Sequence, residues 1–373
     1  MPSKQQGFKL KEVVQDTAYH EQVCNALDEA LKRIAQAEPA AGARTLDLST
    51  GRYVILSDHH RGARNAADDF RRCERAYNAA MAYYFRMGYT LVILGDAEEL
   101  WEERPAPVLQ SYDHSLQLEA RFHKEHRYIR IWGNHDDAWA YPDLVKEYLG
   151  PIFGPPDLQV HEGVRLKVCD DGQELGSILL VHGHQGTSTS DRWAGFSRLV
   201  VRYIWRPFQR LTGVSLNTPA KDWVLREKHN VALYSWALRQ PGLILIAGHT
   251  HRPVFRSKPH AVRVMEQLDE LESQLAAQPN DLQLLRRVSE LNARLEWVRT
   301  QEQQKPSVEG MIAFEKPCYF NTGCCSFLDG DITGLELAEG EIRLVRWPDE
   351  HEQPLPDILE RASLRGVFAE VNS

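Results

Sequence analysis

The chain has 373 residues, 43% apolar and 26% charged, with a formal net charge of -8. That length and apolar content exclude a wholly disordered chain and fit one large elaborated domain or two ordinary ones. The acidic balance disfavours a general nucleic-acid binder, and no stretch approaches the ~18 consecutive apolar residues of a membrane span or forms an apolar signal core, so a cytoplasmic protein is expected.

Residues 8–37 place Val13, Val14, Ala18, Val23, Leu27, Leu31 and Ile34 at helical spacing, and an Ala/Pro/Gly-rich linker follows to residue 43. Arg52–Ser57 reads as a strand stopped by Asp58, followed by a helix from about Ala66 to Met87. Tyr89–Leu94 repeats the plan, ending at Gly95-Asp96, with a helix over about 110–125. Tyr128–Trp132 runs into Gly133-Asn134-His135-Asp136, Ile178–Val181 into His182-Gly183-His184, and Leu243–Ala247 into Gly248-His249-Thr250-His251. Continuous apolar strands separated by helices predict an α/β fold with strands buried on both faces.

Two segments interrupt this plan. Residues 186–240 carry nine Lys/Arg against three acids, and residues 262–303 predict two amphipathic helices joined at Gln278-Pro279-Asn280-Asp281, with Asp281 as N-cap. From Gly310 to Trp347, short strands alternate with Gly/Asp turns, so a second, partly antiparallel sheet is expected to pack on the first. The expected organisation is a leading helix and linker (1–43), a main domain (44–347) holding both insertions, and a tail (348–373). The six cysteines (Cys24, Cys73, Cys169, Cys318, Cys324, Cys325) show no CxxC spacing, so reduced thiols are expected.

The five strand ends expose only Asp, Asn and His. Carboxylate, amide and imidazole donors without sulfur suit Mn, Fe, Zn or Co. A pair of divalent ions held roughly 3.5–4 Å apart by a bridging carboxylate accounts for the whole set.

As an ordered series, Asp58-His59-His60, Gly95-Asp96, Gly133-Asn134-His135-Asp136, His182 and Gly248-His249-Thr250-His251 resembles the calcineurin-like metallophosphoesterase family, over about Tyr53 to Pro253 and the terminal strands. The resemblance implies a two-sheet αββα sandwich with helical insertions. It implies two divalent ions, most readily Mn with Fe or Zn as alternatives. Asp58, His60, Asp96 and His251 would hold one ion and Asp96, Asn134, His182 and His249 the other, with Asp96 bridging. It further implies attack on phosphorus by a metal-activated hydroxide, with His135 as catalytic histidine and Asp136 beside it to orient it, while Glu99 orients a loop. Arg61 and Arg252 follow ligand clusters and are expected to clamp phosphate; His184 is expected to touch substrate, and His59 to support its neighbour.

Gly95-Asp96-Ala97-Glu98-Glu99-Leu100-Trp101 follows a GDxxExW pattern, and the basic insertion follows His182. Both resemble the branch containing UDP-2,3-diacylglucosamine hydrolases, which implies a nucleotide-lipid substrate. Arg198, Arg202, Arg206 and Arg210 recur every fourth residue, a stripe able to meet a pyrophosphate or rest on an inner-membrane surface. That branch commonly has Arg at the position of His135. A general phosphodiesterase, a nuclease or a phosphoprotein phosphatase therefore stays open, as does an inactive scaffold that assembles, for example into a homodimer, through the 262–303 hairpin.

Overall fold

The computed structural model describes residues 17–41, 44–65, 68–187, 223–302, 315–349 and 354–373. Among the described residues, fourteen strands form two seven-stranded sheets. One sheet contains β2 (Tyr53–Leu56), β3 (Thr90–Leu94), β4 (Tyr128–Ile131) and β5 (Val160–His161) in parallel. The antiparallel strands β12 (Ile332–Ala338), β13 (Glu341–Trp347) and β14 (Asp357–Ser363) extend it from the β2 edge. The other sheet runs β1-β6-β7-β8-β11-β9-β10, where β1 is Arg44–Asp47, β6 Gly163–Asp170, β7 Gln173–Val181, β8 Leu243–Ala247, β9 Val254–Phe255, β10 Lys258–Pro259 and β11 Tyr319–Asn321.

The period-two pattern of the central strands explains the layers. Ile55, Val92, Leu94, Ile129 and Ile131 point into a core shared with Leu166, Ile178, Leu180 and Ile246 of the facing sheet. Val54, Leu56, Leu91 and Ile93 point the other way, onto Ala76, Tyr77 and Ala80 of α2 (Glu74–Arg86) and Leu116 and Ala120 of α3 (Asp113–Lys124). The outer face of the second sheet is covered by Val23, Leu27 and Ile34 of α1 (Thr17–Ala41) and Ala232, Leu233 and Trp236 of α4 (Trp223–Leu238). The result is the αββα sandwich that the resemblance implied.

Several elements differ from expectation. The five chemically armed strands do not share one sheet: β2, β3 and β4 lie in one, β7 and β8 in the other. A uniformly apolar strand reports burial on both faces but not its partner. The late strands β12 to β14 join β2 instead of forming a separate sheet. Residues expected as a tail are part of the body: β14 pairs with β13, and Leu364, Val367, Phe368 and Val371 of α7 (Leu364–Asn372) enter the main core. The helix expected from Ala66 begins as a 3-10 turn at Asp69–Arg72 and becomes α2 at Glu74, and the 110–125 helix is two, Pro105–Ser111 and α3.

The 262–303 insertion is the helical pair α5 (His260–Ala277) and α6 (Leu282–Glu302), packed together through Val264, Leu268 and Leu295. Asp281 Oδ1 accepts from the amides of Gln283 (2.8 Å) and Leu284 (3.2 Å), the expected N-cap. Of the basic insertion, residues 188–222, including Arg198, Arg202, Arg206 and Arg210, lie outside the described residues. Among the described residues, no helix is long and apolar enough to cross a membrane.

Candidate metal centre

The strand ends meet along one rim between the two sheets. Three of the five polar clusters leave their strands through a left-handed backbone: φ is 54° at Asp58, 52° at His60, 50° at Asp96, 66° at His249 and 54° at His251. Non-glycine residues adopt this region only where the surroundings impose it, and such strain concentrates at functional sites. Two neighbouring glycines are required by close approach. A Cβ on Gly133 would lie 2.2 Å from Asp96 Oδ1, and one on Gly248 would lie 2.5 Å from Asp58 Oδ2.

Within this crowding the donor atoms converge in three overlapping groups that could each hold a cation: Asp58, His60 and His251; His60, Asp96 and His135; Asp96, His182 and His249. His60 Nε2 and His251 Nε2 are 3.0 Å apart, and His251 Nε2 is 3.2 Å from Asp58 Oδ1. His182 Nε2 lies 3.1 Å from Asp96 Oδ2. Asn134 is buried, 5% exposed, and adds an amide whose oxygen and nitrogen have no hydrogen-bond partner among the described residues; the buried Nε2 atoms of His182 and His249 likewise lack one among them.

The tautomers are set from behind. His182 Nδ1 donates to the Leu94 carbonyl at 2.8 Å, which leaves the Nε2 lone pair aimed at the Asp96 carboxylate. Glu99 Oε2 accepts from His60 Nδ1 at 3.1 Å and His135 Nδ1 at 2.6 Å, again leaving both Nε2 atoms as lone-pair donors. Lone pairs facing carboxylates are repulsive unless a proton or a cation sits between them. Burial opposes charging His60 and His182, yet the Glu99 hydrogen bond and the Asp96, Glu99 and Asp58 charges raise His60 to about 10, and Asp96 and Asp58 raise His182 to about 9. His249, also buried and beside His182 and His229, is instead held well below its ordinary value. Orphaned donors, carboxylates and tautomers poised toward one another fit divalent cations.

The supporting groups correct four expectations. Asp136 does not orient His135. It is fully buried and accepts from the amides of Gly133 (2.6 Å), Ala97 (2.9 Å) and Asp96 (3.3 Å), tying two ligand loops together. Burial, then Glu98 and Asp96, pushes its carboxyl up to about 7. Glu99 orients His135, whose ring also stacks on Trp101 at 3.9 Å between centroids.

Arg61, expected at the phosphate, is fully buried on the helix side, paired with Glu98 and Glu119 and packed on the Phe70 and Tyr77 rings. His59 is buried beside the same two rings, away from the rim. Arg252 stays at the rim, 2.6 Å from Glu227. His184 is buried beside Trp132, His182 and His249, and burial, then His182, lowers it to about 3.

Sequence reading missed the Asn321-Thr322 turn after β11. Ser57 Oγ donates to Asp58 Oδ2 and sits 2.6 Å from Thr322 Oγ1, and Asn321 Nδ2 donates to the Gly248 carbonyl at 2.6 Å. Its signal was present: Cys318-Tyr319-Phe320 running into Asn321-Thr322-Gly323 is another apolar run that ends in polar residues and glycine. His229 of α4 was missed as well; its Nε2 bonds the Gly183 carbonyl and its ring lies 5.3 Å from that of His249. The family model for calcineurin-like phosphoesterases matches residues 51–253, more than half of the chain. No curated protein matches it.

Proposed function

The chain belongs to the calcineurin-like phosphoesterase family, and from that premise we propose that it hydrolyses a phosphoester with two divalent cations, Mn above the alternatives Fe and Zn. Asp58, His60 and His251 hold one ion, Asn134, His182 and His249 the other, and Asp96 lies between. The observation that carries this reading is the convergence of the three donor groups on Asp96 and His60. Ions bound there would supply Lewis-acid polarisation of a phosphoryl oxygen and a water of lowered pKa.

The chain's own residues do the rest. Asp96 is kept in place by the His135 amide, 2.8 Å from Oδ1, and Asp58 by the His249 amide, 2.9 Å from Oδ2. His135 is held by Glu99 through Nδ1 and has 16% of its side chain exposed, so the ring is reachable from outside and its Nε2 lone pair would accept a proton or a hydrogen bond during turnover. Arg252, at the mouth, is positioned to meet substrate charge.

The nucleotide-lipid reading rests on the GDxxExW pattern and on the basic insertion, and His135 in place of Arg weighs toward simpler esters. A panel of phosphomonoesters, phosphodiesters and UDP-2,3-diacylglucosamine with Mn separates these readings. Wild-type turnover that disappears in Asp96→Asn and His182→Ala is the expected result; an active Asp96→Asn protein would sink the dinuclear reading.

A further inference from the structure

The leading helix α1 lies outside residues 51–253, over which the family model matches, yet it packs on the turn that carries β7 to the rim. A Cβ on Gly186 would lie 2.5 Å from Val23 Cα, so helix and turn meet with no side chain between them. About one helical turn earlier, the Tyr19 hydroxyl lies 2.8 Å from His229 Nδ1, and His229 Nε2 bonds the Gly183 carbonyl between His182 and His184. Further along α1, Asp28 Oδ1 accepts from Trp236 Nε1 at 2.7 Å, which fastens α1 to α4 at a second point.

The direction of each bond follows from the groups that make it. A carbonyl only accepts, so His229 Nε2 carries a hydrogen. The ring is fully buried, and burial disfavours its charged form. Nδ1 of the neutral ring is then the acceptor, and the Tyr19 hydroxyl donates to it. Lys228 Nζ lies 4.1 Å from the centre of the Tyr19 ring and steadies it from the α4 side. Tyr19 thus fixes both the tautomer and the plane of His229. That plane meets His249 edge to face, with ring centroids 5.3 Å apart and 72° between the planes. The Gly248 amide closes the turn from the other side, donating to the His182 carbonyl at 2.9 Å. His182 and His249, which share one donor group with Asp96, therefore depend on the same small assembly.

We propose that Tyr19 and His229 are positioning residues for the ion held by Asn134, His182 and His249: His229 fixes the Gly183 carbonyl and the His249 ring, and Tyr19 fixes His229. The inference rests on the dinuclear reading above, and it makes a helix outside the matched region part of one of the two ion sites.

The full metal-free chain is titrated with Mn by calorimetry, with His182→Ala marking the equivalent that belongs to this ion. His229→Ala is expected to weaken that equivalent about 10–100-fold and to leave the other within about twofold. Tyr19→Phe, which removes only the hydroxyl, should weaken it about tenfold, the low end of that range. His229→Gln, whose side-chain amide can still donate to the Gly183 carbonyl, should restore most of the loss. Electron paramagnetic resonance supplies a second signature: the coupled-pair signal of the Mn-loaded wild type should give way to that of an isolated ion in His229→Ala and return in His229→Gln. Equal weakening of both equivalents in these variants reveals a general structural role and overturns the proposal, as does wild-type binding of both by Tyr19→Phe and His229→Ala. A wild-type chain that binds a single Mn counts against the dinuclear reading alone. The role of the pair is then read by NMR of the histidine side-chain nitrogens in the metal-free chain, where Tyr19→Phe must shift His229 and His249 and leave His123 in place; an unmoved His249 overturns it.

Discussion

Replacing Glu99 with Gln tests how the centre is organised. One carboxylate oxygen, Oε2, accepts from His60 Nδ1 at 3.1 Å and from His135 Nδ1 at 2.6 Å, and His135 and His60 hold the acid well below its usual range against the opposing effect of burial. A neutral amide keeps the shape but turns two charge-assisted hydrogen bonds, each about 1.5–3 kcal/mol, into neutral ones of about 0.5–1.5. Loss of a partner behind a metal-binding histidine typically costs 10–100-fold in affinity or activity. Calorimetric Mn titration is therefore expected to show about 10–100-fold weaker binding at the ion that His60 serves. Saturating Mn should recover that part and leave a kcat deficit of about tenfold, due to a misoriented His135. If Glu99→Gln binds Mn like the wild type and matches its kcat at saturation, Glu99 does not organise the site.

Two further outcomes follow from burial. Arg61→Met leaves the two buried carboxylates Glu98 and Glu119 with a single guanidinium, that of Arg130, so urea unfolding should show a loss of about 3 kcal/mol while KM of the remaining native protein stays within about twofold; a tenfold rise in KM without loss of stability would return Arg61 to the phosphate. His161 lies 3.3 Å from Arg44, and burial followed by Arg44 lowers it to about 4. Its folded pKa is thus below its unfolded value of about 6.5, so the stability it contributes is full above pH ~6.5 and is lost as pH falls toward 4. Discounted for partial exposure, the loss is ~1–3 kcal/mol, and His161→Gln should flatten the fall in urea midpoint between pH 7 and pH 4.5; a parallel fall in both proteins refutes this.

The donor set was legible in the sequence because a strand end is a local event: an apolar run, a glycine and a ligand residue sit within a few positions. Local spacing could not say that β7 and β8 cross to a second sheet, since Val54–Leu56 and Leu243–Ala247 are equally apolar and the partner is chosen by tertiary packing. The same limit explains Arg61 and Asp136. Both stand beside ligands in the chain, but side chains of successive residues leave the backbone in opposite directions. Arg61 finds Glu119, 58 positions away, and Asp136 finds the Ala97 amide, 39 away. Glu99 was expected to orient a loop, yet its two histidines emerged only when the loops after β2, β3 and β4 were brought together.

The division of the donors between two sheets also bears on the order of assembly. Asp58 and His251 are separated by most of the matched region, and they become neighbours only after both sheets have formed and docked. Contacts of such long sequence separation carry a large loop-closure cost and come late in folding. A metal bound at this rim is therefore expected to enter in maturation and not in nucleation, after the topology is formed, with backbone amides already holding Asp58 and Asp96. A chelator present during refolding should delay the gain of activity while leaving the rate of core formation unchanged.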